Sequence, residues 1–388
     1  MDPFLTWAAK HQPELIRFIR ELVECESPTD SPDDVTRCAE LLADSLADIA
    51  DGRTFATPGT KVCAGRTYTC HFRLPGHPRN RKPGKILALG HSDTVWPLGT
   101  LRTMPFRNSK GRLWGPGVLD MKSGLALFVF AMRALRELDI PVAHEVHLLV
   151  NPDEETGSHA SRRNTEDLAK KSRAVLVLEP GTGLEGYAKT ARKGIGSYRV
   201  AVRGVAAHSG VDFGGGASAI VELSRQIAER IAGFTDLERG VTVNPGVISG
   251  GTRSNVIAAH AETVVDVRVP NIRDAEALEK KFRGLRAFDQ RCALEITGGL
   301  NRPPMERSKG VAELFGQARQ CAAELGVTLE ESATGGGSDG NFTAALGVPT
   351  LDGIGAVGEG AHAAHESVLV DRLADRMALL AKLVATLP

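Results

Sequence analysis

Several stretches of this chain set metal-ligating or acid–base side chains directly behind apolar runs. After Ile86-Leu87-Ala88-Leu89 comes Gly90-His91-Ser92-Asp93-Thr94. In extended chain, residues two apart point to the same side, so His91 and Asp93 lie together. An imidazole there can bind a metal while the carboxylate fixes its ring; a polar turn would also explain the pair. In Gly115-Pro116-Gly117-Val118-Leu119-Asp120-Met121-Lys122-Ser123-Gly124, Asp120 stands just before a helical pattern, as a ligand or as an N-cap. Behind the apolar run ending at Val150, the string Asn151-Pro152-Asp153-Glu154-Glu155-Thr156-Gly157 carries three consecutive acids. Such crowding is costly unless a cation or water lies among the carboxylates, the alternative being a solvated loop. Glu179-Pro180-Gly181 adds a fourth carboxylate, and a Gly-rich approach delivers Gly360-Ala361-His362-Ala363-Ala364-His365-Glu366.

Each of these has a bland explanation alone, but together they all fall where strands end. Open α/β sheets bind ligands outside the carboxyl ends of their strands. Imidazole and carboxylate ligands without thiolates suit zinc or a similar divalent ion. One carboxylate shared among several other ligands suits two metals about 3.5–4 Å apart.

The elements that must position these residues are legible as pattern. The N-terminal stretch reads as two helices, one through Phe18, Ile19, Leu22 and Val23, the other through Val35, Leu41, Leu42, Leu46 and Ile49. From about residue 85, apolar strands near 86–89, 145–150 and 174–178 alternate with a helix at 122–138, which predicts an α/β sheet with helices on its faces. Between 193 and 302 the rhythm becomes strand 196–202, helix 217–234, strands 241–248 and 262–269, helix 274–288 and strand 292–297. That β-α-β-β-α-β order is the ferredoxin-like unit. The predicted organisation is therefore a mixed-sheet α/β catalytic domain in two parts, 1–192 and 303–388, with a ferredoxin-like lid or dimerisation domain inserted at 193–302. The second part adds helices at 311–325 and 370–387.

Composition narrows the function classes. A chain of 388 residues is too long for one small binding module. Lys+Arg and Asp+Glu balance at 47 each, leaving no basic field for nucleic acid or an anionic membrane. With 13 Phe, 3 Trp and 3 Tyr there are few rings for base stacking. The longest apolar run, 125–132, is far short of a membrane span. The N-terminus lacks a basic patch followed by an apolar segment. The six cysteines, Cys25, Cys38, Cys63, Cys70, Cys292 and Cys321, form no CxxC pair and read as reduced thiols. A cytoplasmic protein is expected.

The motifs G-H-S-D-T-V, G-x-G-x-x-D-M-K-S-G, P-D-E-E-T-G-S, E-P-G, R-G-V-A-A-H-S-G and G-G-G-S-D-G-N-F occur in that order. Together they resemble the di-zinc amidohydrolase and metallopeptidase family, which includes glutamate carboxypeptidases, aminoacylases, acetylornithine deacetylase, succinyl-diaminopimelate desuccinylase and di- and tripeptidases. The resemblance implies that Asp120 bridges two metals, zinc or cobalt. His91 and Glu179 would complete one site, and Glu155 and a distal His the other. The family's spacing of His, three residues, Glu and an apolar Val selects His362, with Glu366 and Val368, over His365. Asp93 would orient His91, and Glu154 would be the general base. By the same resemblance, His208 stabilises the oxyanion and reaches a partner subunit's site in a homodimer. Asn255 and Arg268 would hold the substrate's carboxylate, as a guanidinium can do bidentately. The Gly336-Gly337-Ser338 run would offer backbone N–H groups to the same group. The activity implied is hydrolysis of an amide bond beside an amino acid carboxylate, as in glutamate carboxypeptidases. A deacylase of N-acyl amino acids or a di/tripeptidase is the alternative, and an inactive metal-binding dimeric scaffold a remote one.

Overall fold

The computed structural model describes residues 2–56, 65–76 and 81–388; Cys63 lies outside the described residues. The chain forms two compact units. The first runs through Ala191 and resumes at Arg307–Ala333 and Ser338–Pro388; the second comprises Arg192–Glu306 with Thr334–Gly337. The pattern-based boundaries at 193 and 302 thus differ by a few residues. The Gly-rich run Gly335–Ser338 is not wholly in the first unit, since the chain re-enters that unit at Ser338.

The first unit is built on a mixed six-stranded sheet, in the order Ala50–Phe55, Thr67–Phe72, Glu145–Asn151, Lys85–His91, Ser172–Val177, Thr350–Leu351. The first two strands pair antiparallel and the last four run parallel. The parallel strands are nearly continuous apolar runs, as burial on both faces requires. One face packs against helices Pro3–Glu24, Ser123–Glu137 and Leu373–Thr386. On the other face Leu87, Leu89, Leu149, Val175 and Val177 cluster with Ala169 of helix Arg162–Ala169. Helix Ser123–Glu137 is apolar almost all round and lies in the core, which accounts for the 125–132 run. Its Gly124 permits close approach to the sheet: a Cβ there would sit 2.0 Å from the Leu178 carbonyl oxygen.

A smaller antiparallel sheet joins Gly358–Glu359, Ser367–Leu369, Arg112–Trp114 and Arg107–Ser109 in that order. It clamps both ends of the loop carrying His362. No described helix is long and apolar enough to cross a membrane.

The second unit has four antiparallel strands, ordered Thr242–Gly250, His260–Val269, Gly194–Arg203, Ala293–Arg302. Helices Ala219–Gln226 and Ile272–Arg283 connect them in β-α-β-β-α-β order. Ser218 and Asn271 cap these helices by accepting from the N–H groups of Val221 and Asp274. Both helices are shorter than the apolar periodicity implies. After Gln226 the chain loosens into a π turn and a 3-10 turn, and after Arg283 it leaves the helix at Gly284 while Leu285 continues into the core.

Candidate metal centre

The parallel strands deliver candidate ligands at their carboxyl ends. His91 closes strand Lys85–His91, Glu155 lies in the 3-10 turn Glu154–Thr156 behind Glu145–Asn151, and Glu179 follows Ser172–Val177. Asp120 sits in the irregular turn Val118–Lys122 that leads into the core helix. His362 occupies the left-handed region at φ 62° in the clamped loop.

These side chains converge on Asp120, whose two oxygens serve two clusters. Oδ1 lies 3.2 Å from His91 Nε2, which is 3.4 Å from Glu179 Oε1. Oδ2 lies 3.4 Å from His362 Nε2, which is 3.3 Å from Glu155 Oε2. Ligand atoms of His91, Asp120 and Glu179, and of Asp120, Glu155 and His362, all fall within 4.8 Å of one another in each group. Atoms about 2.0–2.1 Å from one tetrahedral ion stand roughly 3.3–3.4 Å apart, so these spacings fit a divalent cation in each group. Glu155 Oε1 is also buried without a hydrogen-bond partner among the described residues, as an oxygen reserved for a cation would be.

Asp93 is more than a ring holder. His91 Nδ1 lies 3.0 Å from the Asp93 backbone oxygen and 3.4 Å from its carboxylate, which places a proton on Nδ1 and turns Nε2 to the cluster. The same carboxylate accepts from the N–H groups of Glu154 and Glu155, both at 3.2 Å. Thr29 Oγ1 donates to it at 2.8 Å. One buried acid therefore contacts a residue of the first group and holds the turn bearing a residue of the second. Thr29 escaped the motif reading because a Ser/Thr/Pro-rich break gives no hint of a partner sixty residues away.

The electrostatics describe the chain without cations. Burial would raise the Asp120 carboxyl, but hydrogen bonds from His362 and His91 outweigh it and hold the group far below the ordinary range. Hydrogen bonds to Asp120 and Glu155 raise His362 to about 10. Burial opposes charge on His91, yet bonds to Asp120, Asp93 and Glu179 raise it well above the usual imidazole value. Burial pushes Glu155 up, and the Asp120 charge adds to that against the His362 bond. Two imidazolium rings thus neutralise a nest of carboxylates that cations would otherwise fill.

The remaining expected site residues divide between the units. Glu154 is half-buried beside Glu155, in the turn that Asp93 anchors. His365 is exposed and belongs to neither ligand group. In the second unit, His208 and Asn255 are exposed neighbours, with the Ser209 N–H donating to the Asn255 carbonyl. The Gly210 N–H donates to His208 Nδ1 at 3.1 Å, leaving Nε2 as the donor. Arg268 grips Asp266 bidentately at 2.9 and 3.0 Å, the strand-surface ion pair. Gly336 and Gly337 present their carbonyls to Arg192 Nη1 at 3.3 and 3.1 Å. Ser338 departs from expectation: it is fully buried, its N–H donates to Asn341 Oδ1 and its hydroxyl to Asp352. Its donors organise the turn into helix Gly340–Ala345, so it does not offer an N–H to a ligand.

The chain is similar to known proteins in sequence and in fold. The model for "Peptidase family M20/M25/M40" matches residues 87–386. Carboxypeptidase G2 of Pseudomonas sp. (strain RS-16) is 28% identical over 386 residues, covering 98% of this chain and 91% of that protein. Succinyl-diaminopimelate desuccinylase of Rhodospirillum centenum is 27% identical over 398 residues, covering 95% of each. Among solved structures, aminopeptidase PepT of Bacillus cereus matches with a TM-score of 0.77 at 24% identity, over 96% of this chain and 98% of that one.

Proposed function

The chain belongs to peptidase family M20/M25/M40 and is a hydrolase of peptide or amide bonds; on that premise we propose that it cleaves an amide beside an amino acid carboxylate, in the manner of a carboxypeptidase G2. The observation that carries this reading is the division of Asp120's two oxygens between two His/carboxylate clusters. His91, Asp120 and Glu179 would hold one divalent ion, and Asp120, Glu155 and His362 another, zinc being favoured over cobalt. When bound, such ions supply Lewis acidity and a water of lowered pKa.

The protein's own groups do the rest. Glu154 takes the proton of the attacking water and returns it to the nitrogen of the leaving amine. His208, protonated at Nε2, donates to the oxygen on which charge builds. Asn255 and the Gly336-Gly337 backbone hold the substrate's carboxylate. Arg268 joins them by exchanging Asp266 for that carboxylate.

The existing Arg268–Asp266 pair favours a second reading as well. If that pair persists, Arg268 takes no carboxylate from the substrate, so an additional acidic side chain confers no advantage and a neutral N-acyl amino acid or a short peptide is accepted at least as well. Amine release from N-acylated Glu, Asp, Leu, Ala and ornithine and from a dipeptide, with and without chelator, separates the two. Chelator-sensitive turnover led by Glu and Asp supports the first. Turnover led by neutral residues or the dipeptide supports the second, and chelator-insensitive turnover refutes the metal mechanism.

A second copy of the chain is the proposed partner. Strand Thr242–Gly250 is an edge of its sheet, and its Val247 and Ile248 are about three-fifths exposed, as is Val221 on the preceding helix Ala219–Gln226. The edge strand Thr242–Gly250 could pair with its own copy across a two-fold axis. No nucleic acid or membrane partner is proposed, and a cytoplasmic setting remains the expectation from the sequence.

A further inference from the structure

Glu366 is a carboxylate with no solvent exposure and no part in either ligand group. Four N–H donors surround it. Leu119 and Asp120 donate to Oε1 at 2.8 and 3.1 Å, and Gly117 and the Trp96 indole donate to Oε2 at 2.9 and 2.8 Å. These fill the acceptor sites of an ionised carboxylate with neutral donors, which is what makes its burial tolerable.

The backbone donors explain why an acid is needed there. The turn Val118–Lys122 is no regular helix: Asp120 has φ/ψ of −113°/95° and Met121 of −133°/31°. Its leading N–H groups therefore lack helical acceptors, and buried N–H groups need partners. Glu366 supplies them from another part of the chain. Its four donors belong to two ligand-bearing segments, and Glu366 stands in a third. Trp96 follows His91 and Asp93, Gly117–Asp120 ends on the shared ligand, and Glu366 itself lies four residues past His362, at the clamp formed by strand Ser367–Leu369.

We propose that Glu366 is the positioning residue of the metal centre: it fixes the Asp120 backbone against the His91 and His362 segments so that both Asp120 oxygens face their clusters. It touches neither substrate nor cation. The inference rests on the two-metal reading above.

The test is cobalt titration of the metal-free protein followed by visible absorption, with kcat and KM measured on the loaded enzyme. Glu366→Gln keeps the shape but turns an NH2 towards N–H donors. It is expected to keep the wild-type circular dichroism while binding cobalt about 10–100-fold more weakly, with an altered spectrum. A fall in kcat at nearly constant KM is expected alongside. Trp96→Phe removes one donor and leaves the backbone bonds; it is expected to shift cobalt affinity and spectrum in the same direction by less, and it carries the test should Glu366→Gln not fold. Wild-type cobalt affinity, spectrum and kcat in a folded variant would overturn the proposal, as would lowered thermal stability with those three readouts unchanged. A wild-type protein that takes up fewer than two ions would instead refute the two-metal reading, and this inference with it.

Discussion

At the scale of the residue, the centre is a charge-balance problem solved in two ways. Without cations, His362 is held protonated by Asp120 and Glu155, its pKa raised to about 10, and His91 is raised by its own three acidic partners. An imidazole whose folded pKa exceeds its unfolded value of about 6.5 stabilises the fold below that pH and loses the contribution as pH rises through the folded value. The metal-free chain should thus lose this contribution between about pH 6.5 and 10. Ligation requires neutral rings, so loading at pH 7 displaces these protons, and metal affinity must rise with pH. Calorimetric titration of zinc into metal-free protein, in buffers of differing ionisation enthalpy, should report release of one to two protons per chain. Release of none would mean that the two rings are already neutral.

At the scale of the element, strand ends and helix starts set the ligand positions, and close packing keeps them there. Gly124 lets the core helix lie against the Leu178 carbonyl, one residue before Glu179. Gly→Ala within an ordinary helix stabilises by up to about 1 kcal/mol. Here the added methyl meets a backbone oxygen, so Gly124→Ala should destabilise by about 1–3 kcal/mol. A lower melting temperature of the metal-free protein checks this, and a higher one would contradict it. The parallel strands, the core helix and the five clustered residues were legible because apolar runs and the polar strings behind them are local signals. Strands Ala50–Phe55 and Thr67–Phe72 were not: the first is mostly exposed at a sheet edge and shows no clean alternation. The early end of the helix at Arg283 was masked by Leu285, which is buried without being helical. Ser338 and Glu366 were opaque for another reason: their partners are distant in sequence, and nothing in a polar string says whether its side chains face a ligand or the protein.

At the scale of the molecule, the second compact unit carries an exposed apolar edge. Dimerisation through that edge would be broken by placing like charges across it. Val247→Lys with Ile248→Lys should convert a dimer to a monomer by light scattering at micromolar concentration. If His208 acts in the partner's site, turnover should fall with dissociation while metal content stays constant. A wild-type monomer with full activity would remove the partner from the mechanism. The sharpest test of the whole reading is Glu154→Ala, with turnover and metal content measured on one sample. Two ions per chain and turnover lower by about 100-fold or more are expected, since in the proposed mechanism Glu154 moves the proton and ligates nothing. Near wild-type turnover with both ions bound would contradict it.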